Sequence, residues 1–243
     1  MISMGRMWEF VKGKECRFMR DFRECILYED KHLIVCYKPP GFPVQSAGTG
    51  AMDIEFACMN YLHRGNPHIQ PFVGIVQRLD QPAEGLMVLA KNRKITGDLE
   101  GQVRNKKMEK VYLAVAEGKV EPLENDLEDW LVKDSKLRMG KVMSSSVKGA
   151  KRACLHYQVL GQRDNRSLLE IHLSTGRYHQ IRVQLSHRGW PLAGDSKYGR
   201  KDNYRKGDLG LCAYRLRLFH PVTKKEMHWE IRPQGDAFAG WNV

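Results

Sequence analysis

Residues 77–92 read Q-R-L-D-Q-P-A-E-G-L-M-V-L-A-K-N. A charged pair, Arg78 and Asp80, separated by one leucine, leads through Pro82 and Gly85 into the apolar run 86–90. An unbroken apolar run bounded by turn residues reads as a buried strand. The aspartate then sits at the mouth of a packed element, where a rigid scaffold can aim a reactive group. The alternative for the same residues is that Asp80 caps a turn, as Asp ahead of a Pro/Gly pair does.

On the N-terminal side, the apolar runs 26–28 and 33–37 surround the turn Glu29-Asp30-Lys31 and end at Lys38-Pro39-Pro40-Gly41, which predicts a hairpin. Ile54, Ala57, Cys58, Tyr61 and Leu62 recur at helical spacing, with Asp53 placed to cap the helix and Gly65-Asn66-Pro67 to stop it. On the C-terminal side, Thr96 is placed to cap a second helix with Leu99 and Val103 inward and Arg104, Lys106 and Lys107 outward. Residues 109–118 alternate Val111, Leu113 and Val115 against Tyr112, Ala114 and Ala116, a strand with two usable faces. Tyr112 serves there either as cross-strand packing or, flanked by alanines, as a platform on which a nucleobase stacks.

Further on, 121–134 is acidic and 141–152 is basic and rich in Ser and Gly, which predicts a mobile basic loop. Runs 153–160 and 168–173 around Arg163-Asp164-Asn165 predict an antiparallel pair. In 174–199, S-T-G-R-Y-H-Q-I-R-V-Q-L-S-H-R-G-W-P-L-A-G-D-S-K-Y-G, helical spacing groups Tyr178, Ile181 and Leu185 on one face. His179, Arg182 and Ser186 share another, with Arg182 directed away from the core and Gly189 ending the helix. Arg182 can hold a strand-end carboxylate ionised, or form an ordinary surface ion pair. Strands at 209–219 and 227–231 follow. Many neighbouring strands with few helices between them predict an α+β fold with a largely antiparallel sheet.

The chain of 243 residues carries a net charge of +12, from 40 Lys and Arg against 28 Asp and Glu, which favours a polyanionic partner such as nucleic acid. An acidic membrane surface competes for that role, but no apolar run approaches the roughly 18 residues of a bilayer span. With no signal-peptide core, a cytoplasmic protein is expected. Six cysteines without a C-x-x-C pair argue against a metal site or a disulfide framework. Residues 1–24 interleave Arg6, Lys12, Lys14, Arg17, Arg20 and Arg23 with Trp8, Phe10, Phe18 and Phe22. This is a basic N-terminal arm, either able to hold phosphates and stack on bases or simply solvated and loosely packed, ahead of one domain over 25–243.

Four segments resemble the RluA-type RNA pseudouridine synthases: I-L-Y-E-D-K-H-L-I-V-C-Y-K-P-P-G from Ile26, R-L-D-Q-P-A-E-G-L-M-V-L-A-K-N from Arg78, K-V-Y-L-A from Lys110, and T-G-R-Y-H-Q-I-R with the later G-D-S-K-Y-G. The resemblance implies a single catalytic domain of pseudouridine synthase fold, on a large mixed, mostly antiparallel sheet flanked by helices and loops. It implies catalytic residues Asp80, Tyr112 stacking on the base, and Arg182 pairing with the aspartate. Arg78, Arg177 and His179 are implied as RNA contacts, Arg78 helping to displace the target nucleotide. It further implies ribosomal or transfer RNA as partner, a monomer, and neither cofactor nor metal.

No separate N-terminal RNA-binding domain is evident, so the catalytic domain and its arm are expected to grip the RNA. The family's His before R-L-D is Gln77 here, and its Thr-Ser is Ala83-Glu84. Glu84 is expected to face outward, because a second carboxylate in the cleft would repel phosphate. Two rivals are an RNA-binding or RNA-folding protein with little or no catalysis, and a glycosidase that releases uracil.

Overall fold

A computed structural model describes residues 21–46, 52–68, 70–199 and 208–243. Residues 1–20 of the expected arm lie outside the described residues. Within the remainder of that arm, Phe22 is buried and its ring lies 6.0 Å from Tyr61.

Eleven strands form one mixed sheet among the described residues. They are β1 (Ile26–Glu29), β2 (Leu33–Lys38), β3 (Gly74–Ile75), β4 (Glu84–Ala90), β5 (Glu109–Glu117), β6 (Glu124–Asp134), β7 (Met139–Met143), β8 (Lys151–Arg163), β9 (Arg166–Leu173), β10 (Leu211–Phe219) and β11 (Glu226–Glu230). Their order is β1-β2-β4-β10-β5-β9-β8-β6-β7, with β3 on β4 and β11 on β10. The β4–β10 pair is parallel, through Cys212–Glu84 and Ala213–Gly85, and the other pairs are antiparallel.

Every residue of β4 is buried, as its unbroken apolar run implies. A helix covers each face. Met87 and Leu89 pack with Ile54 and Cys58 of α1 (Ile54–Gly65), whereas Leu86, Val88 and Ala90 pack with Ile95 and Leu99 of α2 (Arg93–Arg104). Strands covered on both faces lose the alternation of half-exposed ones. Each such side chain contributes about 1.5–3 kcal/mol by burial. At the head of β4, Gly85 has φ +131°, and an added Cβ would lie 2.5 Å from the backbone N and O of Ala213. The glycine is therefore what lets β10 approach in parallel.

Three expectations need correction. Asn92, not Thr96, caps α2: its side chain accepts from Ile95 N at 3.0 Å, while the Thr96 hydroxyl, one turn inside, donates to Asn92 O. Val103 is exposed instead of turned inward, because the helix ends there and presents it to a cleft. The acidic stretch is largely β6, and of the expected basic loop only 144–150 is loop, its two ends lying in β7 and β8. Paired strands there satisfy their backbone in the ladder and carry opposite charges across it, as in Glu128 with Arg152.

Candidate active site

The end of β4's approach loop holds Asp80. That loop is fixed from beneath by Lys38, the last residue of β2, whose Nζ donates to Pro39 O at 2.8 Å and Gln81 O at 3.0 Å. Gly41 N donates to Gln81 O at 2.9 Å, and Gln81 Nε2 returns a bond to Gly41 O. The K-P-P-G segment is thus a clamp on the residue after Asp80. Lys38 is fully buried, and burial pulls its ammonium down to about 7 against the pull of Asp80 and Glu84.

Asp80 meets α3 (Gln180–His187) through Arg182, whose Nη1 lies 3.0 Å from Asp80 Oδ2. The same guanidinium forks onto Asp195, with Nε to Oδ2 and Nη2 to Oδ1 both 2.8 Å. Burial opposes the charge of Arg182, but two carboxylates outweigh it and keep the group ionised well above its ordinary range. Asp195 also resists burial and stays below the usual carboxylate range, held by Arg182 and by the N–H groups of Tyr198 and Lys197. Arg182 is 2% exposed, so it does not point away from the core as its helical position suggests. It lies between two layers because both its partners are buried or half-buried beside α3. Tyr178, assigned to the apolar face, is exposed, since the helix starts only at Gln180.

His179 precedes α3 in a left-handed conformation, φ 52° and ψ 30°, stacked on Tyr178 at 3.8 Å between ring centroids. Gly140 N donates to the Tyr198 hydroxyl at 2.7 Å, and the same hydroxyl lies 2.8 Å from His179 Nδ1. The other ring nitrogen of His179, Nε2, lies 3.8 Å from Asp80 Oδ2. Burial, with Arg182 and Lys197 adding to it, depresses His179 to about 4 despite Asp80, so the imidazole is neutral at physiological pH. Asp80 Oδ2 is thus bonded by Arg182 and neighboured by His179, and its other oxygen has no hydrogen-bond partner among the described residues.

Tyr112 rises from β5 beside this carboxylate. It is 6% exposed, and burial followed by the charge of Asp80 raises its phenol well above normal. Asp80, Tyr112, Arg182, Arg78, Arg177 and His179 all line one cavity of about 400 Å³, so the structure brings together every site residue expected from the sequence. Arg78 and Arg177 stand exposed at its rim. With Lys110, the lining has four Lys and Arg side chains against one carboxylate, a charge balance suited to a phosphodiester.

Glu84 corrects another expectation. It does not face outward but is 1% exposed, accepting from Tyr37 Oη at 2.5 Å and from the N–H groups of Gln234 and Gly235, both at 2.9 Å. Burial raises its pKa despite those bonds. The side chain ties the C-terminal segment to β4 and is absent from the cavity lining. Gln77 is buried and donates to Leu86 O at 3.1 Å, and its Oε1 has no partner among the described residues. Sequence reasoning gave no role to Asp195, Tyr198, Lys38 or Gln180. The last fixes the approach to α3 by accepting from Thr175 Oγ1 and Arg177 N. The segment G-D-S-K-Y-G, part of the family resemblance, was the available signal for Asp195.

Comparisons with known proteins give the family. The family described as RNA pseudouridylate synthase matches residues 32–187. Ribosomal large subunit pseudouridine synthase C of Buchnera aphidicola subsp. Baizongia pistaciae is 32% identical over 213 residues, 85% of this chain and 66% of that protein. Ribosomal large subunit pseudouridine synthase D of Nitrosomonas europaea is 36% identical over 217 residues, 84% of this chain and 60% of that protein. The chain thus spans about two thirds of the length of such relatives. The solved structure of human RNA Pseudouridylate Synthase Domain Containing 4 shares the fold, with a TM-score of 0.72, 24% identity, and coverage of 86% of this chain and 88% of that one. With a family match over more than half of its length, this chain belongs to the RNA pseudouridylate synthase family.

Proposed function

We propose that this protein isomerises uridine to pseudouridine in ribosomal RNA, with Asp80 as the catalytic carboxylate. The observation that supports the reading most is the state of Asp80: one oxygen held by Arg182, the other free and facing a basic cavity beside Tyr112. In the reaction the bond from ribose to uracil N1 breaks, the freed base turns, and C5 bonds to the sugar. C5 loses its proton and N1 gains one, so the conversion is neutral in redox and in water. An ionised carboxylate is equipped for this, as a nucleophile at sugar or base or as a base removing a proton.

The target base must leave its stack, at a cost of about a few kcal/mol, and stacking on Tyr112 offsets part of that. Arg78, at the rim, is suited to fill the gap the base leaves, and Arg177 to hold the adjoining backbone. The 3.8 Å separation from Asp80 makes His179 a support for the carboxylate more than a grip on RNA. The names of the relatives favour ribosomal over transfer RNA as the substrate. The same reading has the chain acting as a monomer in the cytoplasm, without metal or cofactor, because the chemistry asks for neither. Among the described residues no helix is long and apolar enough to cross a membrane.

The test uses ribosomal RNA and transfer RNA carrying tritium at uridine C5. Release of tritium to water with ribosomal RNA, together with pseudouridine on digestion, is the expected result. Free uracil would reveal a glycosidase, RNA binding with no tritium release would reveal a binding or folding protein, and release from transfer RNA alone would reassign the substrate.

A further inference from the structure

We infer that Lys110 and the cavity beside it form a second RNA subsite, which takes the phosphodiester and the nucleotide flanking the everted uridine. The inference rests on the proposed function and adds to it the place where the neighbouring backbone is held.

Lys110 stands two residues before Tyr112 on β5, so both side chains leave the same face of the strand, about 7 Å apart along it. Its ammonium has no hydrogen bond or ion pair among the described residues, and the residue is half-buried. Desolvation alone depresses its pKa, with no carboxylate close enough to offset it. A sheltered cation without a counter-charge is costly, and it is relieved when an anion arrives.

The place of Lys110 says which anion. It lines the cavity of Asp80 and Tyr112, and it also lines a neighbouring cavity of about 280 Å³. The two share Val103, Lys110, Leu173 and Gly176, so the ammonium stands on the partition between them. The second cavity adds Lys106 and Arg217. Its one carboxylate, Glu109, is engaged by Arg217 at 2.9 Å and faces His172 at 3.7 Å. A wall of one free cation between a base-sized hollow and a second, net-positive hollow fits a phosphodiester with one nucleoside on each side.

Val103 adds an apolar surface to the partition. It is an exposed apolar residue at the end of α2, touching both hollows, where a base or ribose can lie against it. Lys110 therefore acts on binding and register, and not on the bonds that break.

The experiment compares the wild type with Lys110→Met, Lys110→Arg and, as a control in the turn at 144–150, Lys148→Met. Binding of a fluorescein-labelled oligouridine is measured over a series of KCl concentrations, and tritium release from ribosomal RNA gives kcat and KM. Lys110→Met is expected to flatten the plot of log affinity against log salt by about 0.7 to 1, one phosphate contact. KM should rise about tenfold with kcat within twofold, Lys110→Arg should recover most of the loss, and Lys148→Met should match the wild type. Met is close to Lys in shape, and a thermal melt confirms folding. A salt slope and KM equal to wild type in Lys110→Met would overturn the subsite, and so would a loss confined to kcat. The binding arm does not depend on isomerisation, so a protein that binds but does not isomerise refutes the proposed reaction while still testing the subsite.

Discussion

Replacing Asp195 with Asn tests whether the carboxylate beneath Arg182 anchors the site. The Asp195 side chain is fully inaccessible and Arg182 is 2% exposed, so the pair is desolvated. Asn retains an oxygen to accept from Lys197 N and Tyr198 N. Its amide, however, sets a donor against the Nε–H of Arg182, now 2.8 Å from an acceptor. Removing one partner of a buried pair costs about 3–5 kcal/mol, because the other charge is left uncompensated.

Here Asp80 remains 3.0 Å from the guanidinium, so the lower end, about 3 kcal/mol, applies. The guanidinium then has one carboxylate instead of two and shifts toward Asp80. A shift of about 1 Å in a positioned group costs up to about a hundredfold in rate, and kcat should fall at least tenfold. Urea unfolding reads the first effect and tritium release from C5-labelled RNA the second. Stability within 1 kcal/mol of wild type together with kcat within twofold would refute the anchoring role.

Other outcomes follow from the same structure. Gly85→Ala puts a Cβ against the Ala213 backbone at a positive φ, and should destabilise by about 3 kcal/mol. That is a fall in Tm of about 6–12 °C, and a fall under 2 °C would contradict the close parallel contact. Lys38 has a folded pKa of about 7, and its unfolded value is about 10.4. Between those values the unfolded chain holds a proton that the folded chain sheds, so stability rises with pH across that window. The stability of wild type relative to Lys38→Met should climb from pH 7 to pH 10 and stay flat below 7, and a flat difference throughout would show that Lys38 is not desolvated. Nitrogen-15 NMR of His179 should show a neutral imidazole at pH 6, and an imidazolium there would contradict the desolvation of the ring beside Arg182 and Lys197.

Much of the fold was legible because its signals are local. The run 86–90 is apolar on both faces and is buried on both. Asp53 caps α1 by accepting from Phe56 N at 2.8 Å, as its position before the helical repeat implies. The site residues Asp80, Tyr112 and Arg182 came from motif resemblance, and their meeting in one cavity lies 102 residues apart in sequence for the Arg182–Asp80 bond. No spacing encodes such a contact.

What failed to show in the sequence depends on partners from elsewhere in the chain. Glu84 reads as an outward charge until the backbone of Gln234 and Gly235 arrives to satisfy it. Arg182 reads as a solvent-facing arginine until Asp195 is placed behind it. The basic stretch 141–152 reads as a loop because its residues are polar, and only pairing of β7 and the start of β8 with β6 draws its two ends into strands.

The most direct measurement compares the protein with Asp80→Asn on ribosomal RNA tritiated at uridine C5, at matched RNA occupancy. Binding equal to wild type with tritium release and pseudouridine abolished is the predicted result. Pseudouridine formed by Asp80→Asn at the wild-type rate would contradict a catalytic carboxylate at this position.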